Sequence, residues 1–579
     1  EDRVVLKRIW ESESKKLETY YVYDDFGDLR YVIPPAVTAN SFTETGAAFT
    51  NYIYAYRYDG RRRLVEKKIP GKGWEYIVYN RNDLPIMTQD ALQRAKNPRE
   101  WSYTKYDAFG RVTETGILTA THATQLAAQT AADNHAAGTG KHWESRGVNA
   151  SQYSNVSFPT AGLSRRTVNY YDNYNKFMGT VDTVQLAPRG ITRSQKTHSL
   201  LTGSRVYTDS GTDSLLTVYY YDERGRTIQT ASRNHLGGKD IVTNSYLFTG
   251  EVATSKREHW KSLTTLPATT ILSTHEYDHV GRLTATKKKV NSQAEIIQSQ
   301  LSYNEIGQLQ EKKLHVSGSN AAQEAVYSYN ERGWTTSINN PAAVTDKRRF
   351  GMALHYANHA QAYNGNIGSV QWNTKVSGSQ TQTPLQTYTY TYDRLDRLKK
   401  AAYSGASNKT GHYNEELAYD VMGNIDTLRR TNGGTGWYNH FKYSYTGNKL
   451  NAVSDIGTAN RDNSFIYDAN GNARTNSRLG ITDIEYNYLN LPKKFVKGSQ
   501  QLVYTYDATG RKLKKTLGSA VTDYVDGIQY KNGVLEFIQT EEGRILPNGS
   551  SFVYEYFLKD HLGNTRAIVD HTGAVKQIQ

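Results

Sequence analysis

The chain has 579 residues, 37% of them hydrophobic and 22% charged, with 45 tyrosines against 14 phenylalanines and a net charge of +14. The hydrophobic share lies below the roughly 45–50% of ordinary globular domains while the charge is ordinary, which argues against disorder and for thin sheet with wet, tyrosine-rich faces. The absence of cysteine excludes disulfides and thiolate metal sites, and no run of about 18 apolar residues is present to span a membrane.

The surplus of Lys and Arg would suit nucleic acid, an anionic glycan or a membrane surface. It clusters only briefly, at Arg61-Arg62-Arg63 and Lys287-Lys288-Lys289. Single basic residues decorating a repeat are therefore expected, and no specific nucleic-acid partner is assigned. The sequence opens at Glu1 with neither Met nor a signal peptide, which reads as a processed or trimmed product.

Residues 1–116 read as an N-terminal β domain. Tyr20-Tyr21-Val22-Tyr23-Asp24-Asp25-Phe26-Gly27 leads into Tyr31-Val32-Ile33-Pro34-Pro35, where the prolines end pairing. Tyr54, Tyr56 and Tyr58 alternate before Asp59-Gly60. A short helix is expected from Gln89 to Lys96, stopped by Asn97-Pro98. Residues 117–165 read as an insertion: Thr121 to Ala137, rich in Ala and Gln, predicts one exposed helix ended near Gly138, and the Ser/Asn/Gly-rich stretch 141–165 predicts loop.

Residues 166–553 are repeats. One phrase recurs: tyrosine, Asp or Asn, two variable residues, glycine, then often Arg or Asn. It is sharp at Tyr221-Asp222-Glu223-Arg224-Gly225-Arg226, at Tyr277-Asp278-His279-Val280-Gly281-Arg282 and at Tyr506-Asp507-Ala508-Thr509-Gly510-Arg511. Looser copies start at Tyr303, Tyr329, Tyr392, Tyr419 and Tyr467; the steps from 277 to 303 and from 303 to 329 are 26 residues and that from 392 to 419 is 27, with larger gaps such as 329 to 392. Such a repeat predicts stacking of one small unit. Alternation in Thr387-Tyr388-Thr389-Tyr390-Thr391-Tyr392 sets the three tyrosines on one face of a strand. The Asp side chain can close the turn by bonding backbone two residues on, and the glycine supplies positive φ. Arg can lay its stem over a neighbouring tyrosine. Each hairpin is too small to stand alone, so a continuous antiparallel sheet that curls to manage its twist and edges is expected.

Candidate chemistry is sparse. His355 and His359 share helical spacing but lack the glutamate of a zinc-protease motif. Gly138-Thr139-Gly140-Lys141 fails the phosphate-loop pattern, because His142 follows the lysine. Asp24, Asp25 and Asp28 read as turn caps rather than a calcium loop. Asp560 and Asp570 read as turn residues rather than an aspartyl pair. The tyrosine rows could stack sugars or bases, but cross-strand packing is the preferred reading. No catalytic, cofactor or metal residue is assigned.

These residues resemble the YD-repeat, or RHS-repeat, family. Residues 554–579 add to the likeness: Asp560-His561-Leu562-Gly563-Asn564-Thr565-Arg566 looks like the opening of the RHS-associated core segment. Val22-Tyr23-Asp24-Asp25-Phe26-Gly27 and Arg94-Ala95-Lys96-Asn97 resemble the domain that precedes the repeats in Bacteroidetes-type RHS proteins. The resemblance implies a spiral antiparallel sheet forming a hollow shell, with one or two short helices in the N-terminal part, around a C-terminal toxin. In the family the core segment closes the shell and often carries a self-cleaving aspartyl site. Neither that motif nor a toxin domain is present in these residues, so autoproteolysis is assigned to none of them.

The leading expectation is a secreted or cell-surface bacterial carrier without a cofactor. Its partners would be its own C-terminal effector and a secretion or delivery machinery, in competition between bacteria. The alternative is an adhesin or carbohydrate-binding YD-repeat protein, as in teneurin-like relatives, with glycans or a cell surface as partner. An enzyme is the third class.

Overall fold

A computed structural model describes residues 3–147, 152–264, 266–356, 364–376, 384–405, 409, 411–434 and 436–578. The chain is nearly all β. A 30-stranded antiparallel sheet runs from Leu6–Trp10 to Asn463–Ser464, and an 11-stranded one from Asp483–Tyr486 to Val575–Ile578. Within each, every strand pairs with the one that follows it in the chain, so the whole protein is a meander of hairpins. The large sheet is not closed into a barrel.

Curvature comes from the repeat itself. At each phrase the register shifts by one residue next to the tyrosine: Glu276 faces Ala285 while Tyr277 faces Leu283, and the same offset occurs at Tyr221, Tyr303, Tyr392, Tyr419 and Tyr506. Each bulge bends one strand and adds right-handed twist. Repeated along one rim, it makes the sheet coil.

The expected boundary at 116–117 lies inside strand Val112–Thr119, which pairs directly with Leu163–Tyr171 across the insertion. The one at 553–554 lies inside Ser551–Lys559. The sheets themselves part between 464 and 483.

Four α-helices are present among the described residues: α1 (Ala47–Tyr52), α2 (Ala91–Ala95), α3 (Gln125–Thr139) and α4 (Thr180–Gln185). α1 and α2 are the one or two short helices expected in the N-terminal part, α3 is the Ala/Gln-rich helix expected in the insertion, and α4 lies in the region read as repeats. α1 and α4 are single short turns with no periodicity to announce them; α1 forms where Phe49 packs among Tyr31, Phe42 and Trp74. α2 has a capping box, with Asp90 accepting from Gln93 N and Gln93 returning a bond to Asp90 N.

The Ala/Gln-rich helix α3 ends at Gly140 in the left-handed region. The expectation of an exposed helix needs correction. Ala128, Ala132 and Ala136, four residues apart, are buried. Gln129 bonds both N and O of Tyr79, and Gln125 bonds Ile77 O. The small alanines let the helix lie close on strand Glu75–Tyr79, while its glutamines satisfy backbone. No helix among the described residues is long and apolar enough to cross a membrane.

Candidate functional site

The repeat turn is one construction used throughout. Asp278 Oδ1 accepts from the backbone N of Val280 (3.0 Å) and Arg282 (2.9 Å), and its Oδ2 from Arg282 Nε at 2.6 Å. Asp222 does the same with Arg224 and Arg226, and Asp507 with Thr509 and Arg511. Gly225, Gly281 and Gly510 supply φ of 77°, 82° and 90°. Burial pushes the Asp222 and Asp278 carboxyls up, but the backbone and guanidinium bonds outweigh it and hold both below the usual range.

The core-like segment repeats the construction. Asp560 accepts from Leu562 N, Asn564 N, Asn564 Nδ2 and Arg566 Nε, over Gly563 at φ 85°. Asp570 caps the next turn through Thr572 N and Ala574 N. Asp24 caps its own turn at Phe26 N and Asp28 N.

The tyrosine does what the sequence did not announce. Its hydroxyl donates to the first carbonyl of the return strand in the preceding hairpin or, for Tyr392, to a carbonyl two residues before that strand. Tyr221 reaches Leu201 O (2.6 Å), Tyr277 Val252 O (3.0 Å), Tyr303 Leu283 O (2.7 Å), Tyr329 Leu309 O (2.8 Å), Tyr392 Ile367 O (2.9 Å), Tyr419 Leu398 O (2.8 Å) and Tyr506 Pro492 O (3.1 Å). Where that hairpin ends in Arg, the guanidinium lies over the same ring: Arg282 over Tyr303 and Arg397 over Tyr419, each 4.7 Å from the centroid. One tyrosine thus staples two units, which is why phenylalanine does not replace it. Tyr303→Phe is expected to weaken the joint by about 1 kcal/mol, read as faster amide exchange confined to strands Leu283–Val290 and Ile296–Tyr303. Unchanged exchange there would show that the hydroxyl carries nothing.

The coil returns on itself. Arg394 and Arg397 pair with Glu13 and Glu11, 381 and 386 residues earlier. Leu92 N bonds Asn470 Oδ1 across 378 residues. Further on, Thr208 bridges Asp507 by main chain, and His259 meets Tyr530 across 271 residues. Finally Arg349 meets Gly573 O across 224. The shrinking separation shows a second pass of shorter hairpins riding along the first. The 30-stranded sheet forms the wall, and residues 483–578 form the second sheet that seats against it.

Their seam is polarised. The cationic side-chain donors come from the wall: Arg257 to Val525 O and Asp526 O, Lys261 to Gly533 O, Lys288 to Glu541, Lys312 to Glu542, and Arg349 to Gly573 O. Imidazoles join them, with His235 on Asp523 (3.2 Å), His259 on Tyr530 (2.9 Å) and His315 on Tyr556 (2.9 Å). Between these lie Val290 and Leu314 of the wall against Val525, Ile528, Tyr530, Ile538, Ile545, Tyr554, Tyr556 and Val569. A cavity of 420 Å³ opens at this seam, lined by Lys312, Tyr327, Glu542, Asp560, His561 and Gly563 among others. His561 Nδ1 is buried there without a hydrogen-bond partner among the described residues, and burial pushes the imidazole down. Leu562, at the turn tip, is exposed.

The remaining candidates do not converge. His355 ends strand Phe350–His355 beside Gln371; His359 lies outside the described residues. Gly138 to Lys141 run through the end of α3. Among the described residues no three metal-ligating side chains come together.

No family model and no curated protein matches this chain. Solved structures do. The crystal structure of TcdB2-TccC3 without its hypervariable C-terminal region aligns with 97% of this chain at TM-score 0.65 and 14% identity. The Photorhabdus luminescens Tc holotoxin pore aligns with 98% at TM-score 0.65 and 14% identity. A further TcdB2-TccC3 structure aligns with 98% at TM-score 0.62 and 14% identity. This chain spans 26%, 26% and 27% of those three chains. At that identity the likeness is one of fold: the chain has the RHS-like β-shell architecture seen in these toxin complexes.

Proposed function

We propose that this chain is the shell of a polymorphic toxin of Bacteroidetes type, which encloses a C-terminal effector polypeptide and carries it for secretion or delivery between bacteria. The observation that carries the reading is the coil whose second pass seats on the first along a continuous seam, in a fold shared with TcdB2-TccC3. A sheet that wraps over itself separates inside from outside by sterics alone, so the wall needs no catalysis or cofactor of its own. Cleavage that frees the effector is assigned to none of the residues present. Denaturing mass spectrometry of the natively purified protein tests the reading. A second polypeptide held without a covalent bond is the expected result; a single species produced from the full gene would overturn it.

One observation favours the adhesin reading as a second choice. Phe26, Phe109 and Phe248 at the turn tips are 75%, 82% and 85% exposed, and such a rim could meet a cell surface. Glycan binding lost when these three are changed to Ser would favour it.

A further inference from the structure

Strand register follows one face of the wall along the chain, because directly paired residues of antiparallel strands point to the same side. Early in the chain this face is a row of hydroxyls: Thr104 faces Thr115, Thr115 faces Thr167, and Thr217 faces Ser232. Farther on it turns apolar: Tyr327 faces Ile338, Ile338 faces Met352, and Met352 faces Trp372. The pairings of the strands between keep both stretches on one side. The second sheet lies on the apolar stretch. Leu558 packs on the cluster of Ile338, Met352 and Val370, and Arg566 lies over the Trp372 ring, 5.7 Å from its centroid.

Past Trp372 the face stays apolar and loses this cover. Val370 faces Tyr388, Tyr388 faces Tyr403, Leu417 faces Leu428, Leu428 faces Phe441, and Tyr443 faces Val453. Ala401 opposite Glu415 joins the two halves of that series. The rings of Trp372 and Tyr388 stack with centroids 5.6 Å apart, and those of Tyr388 and Tyr390 at 6.1 Å. The charged groups on this side are already engaged. Glu415 pairs with Arg430 at 2.7 Å, and Asp455 accepts from Asn439 Nδ2 and from the backbone of His440 and Arg461. The opposite side of the same strands is polar, with Thr389, Lys400, Glu416, Thr427, Lys442 and Ser444. A sheet patterned in this way is built to be covered on its apolar face. Among the described residues, the ring contacts and hydrogen bonds of the second sheet with this face end at Trp372. Tyr388, Tyr390, Leu417, Tyr443 and Val453 are left half-buried.

We propose that this face, on the strands from Gln386–Tyr392 to Lys449–Asp455, is the docking surface of the enclosed C-terminal polypeptide, which lies on it through apolar side chains. The inference rests on the enclosure reading above. The surface is continuous with an interface already in place: polypeptide covers Val370 and Trp372, and the same apolar chemistry runs on beyond it. The hydroxyls of Tyr390 and Tyr443 have no hydrogen-bond partner among the described residues, so each can donate to a main-chain carbonyl of the occupant while its ring meets an apolar side chain. The hydroxyl row from Thr104 to Ser232 offers no comparable apolar area. Docking is therefore local to one arc of the wall, not spread over the whole of that face.

Site-specific photo-crosslinking in the natively purified complex tests this. A benzophenone amino acid is placed, one position at a time, at Tyr390, Tyr443, Thr104 and Ser444 of the full chain, and mass spectrometry identifies what each position couples to after irradiation. Coupling to apolar residues of the retained polypeptide is expected from the Tyr390 and Tyr443 positions. Far less is expected from Thr104, on the hydroxyl stretch of the same face, and none from Ser444, on the opposite side. Val453, which faces Tyr443, repeats the measurement should a probe at either tyrosine misfold the shell. A polypeptide that is retained but couples equally from Thr104, Tyr390 and Tyr443, or from none of them, would remove the docking surface and leave enclosure standing. No retained polypeptide in the unlabelled protein would remove the enclosure reading and the surface with it.

Discussion

Glu144→Gln is expected to be the most damaging single substitution in the N-terminal part, costing about 3–5 kcal/mol. Glu144 lies in the segment read from sequence as loop, yet it is buried against Lys105 at 2.9 Å. Its two oxygens also accept from Ser154 Oγ, Val156 N, Ser157 N and Ser157 Oγ. The amide would keep the shape but strand a buried ammonium, whose other partners among the described residues are Asn155 Oδ1 and Ser157 O. Chemical denaturation would read the loss, and replacing Glu144 and Lys105 together by Met should recover much of it, because no charge is then left unpaired. Burial pushes the Glu144 carboxyl up, but Lys105 and the serine bonds win and hold it at about 2, against 4.5 unperturbed. The contribution is therefore complete above 4.5 and fades as pH falls toward 2. A loss below 1 kcal/mol on Glu144→Gln would mean that the pair is not buried in solution.

Acid is expected to part the seam before it melts the wall. Burial holds the imidazoles of His235, His275 and His315 below 6.5. Opposing groups differ at each: Asp523 raises His235 while Lys514 and Arg511 lower it, Glu541 raises His275 while Lys288 lowers it, and His571 lowers His315 while Asp570 raises it. A depressed value in the folded protein means that the stabilisation is intact above about 6.5 and is lost as pH falls through the folded values. Carboxylates follow at lower pH, since Glu541, paired with Lys288, and Asp240, bonded to His259 and Arg257, are held below their ordinary range against burial. Amide exchange of strands Ala520–Val525, Ile528–Lys531 and Ser551–Lys559, corrected for intrinsic rate, should rise roughly tenfold or more between pH 7.5 and 5 while the first ten strands stay protected, a difference of about 1.4 kcal/mol or more. His315→Asn suits the left-handed backbone at φ 49° and should flatten part of that dependence. Equal acid response in both regions would contradict a separable seam.

The unit was legible in the sequence and the assembly was not. Tyr277-Asp278-His279-Val280-Gly281-Arg282 announces its own turn, because Asp caps, glycine conformation and Arg stacking are all local chemistry. The hydroxyl of Tyr303 has a partner 20 residues earlier, a distance set by the hairpin and visible only once strand register is known. Contacts such as His259 with Tyr530 join residues 271 apart with no shared pattern. The Ala/Gln-rich stretch was readable as a helix, but its buried face was hidden because alanine is neither apolar enough nor large enough to mark one. Glu144 was concealed by the Ser/Asn/Gly composition around it. Those hydroxyls and amides, which usually mean a wet loop, here solvate a buried charge.

Protease protection of a polypeptide retained by the shell is the most direct test of the proposed enclosure. The natively purified complex would be treated with proteinase K at pH 7.5, beside the same polypeptide released by denaturant and refolded alone. A retained polypeptide is expected to survive at neutral pH for as long as the shell does, and to lose protection once acid opens the seam. Digestion of the retained polypeptide at the rate of the free one, with the shell still intact, would contradict it.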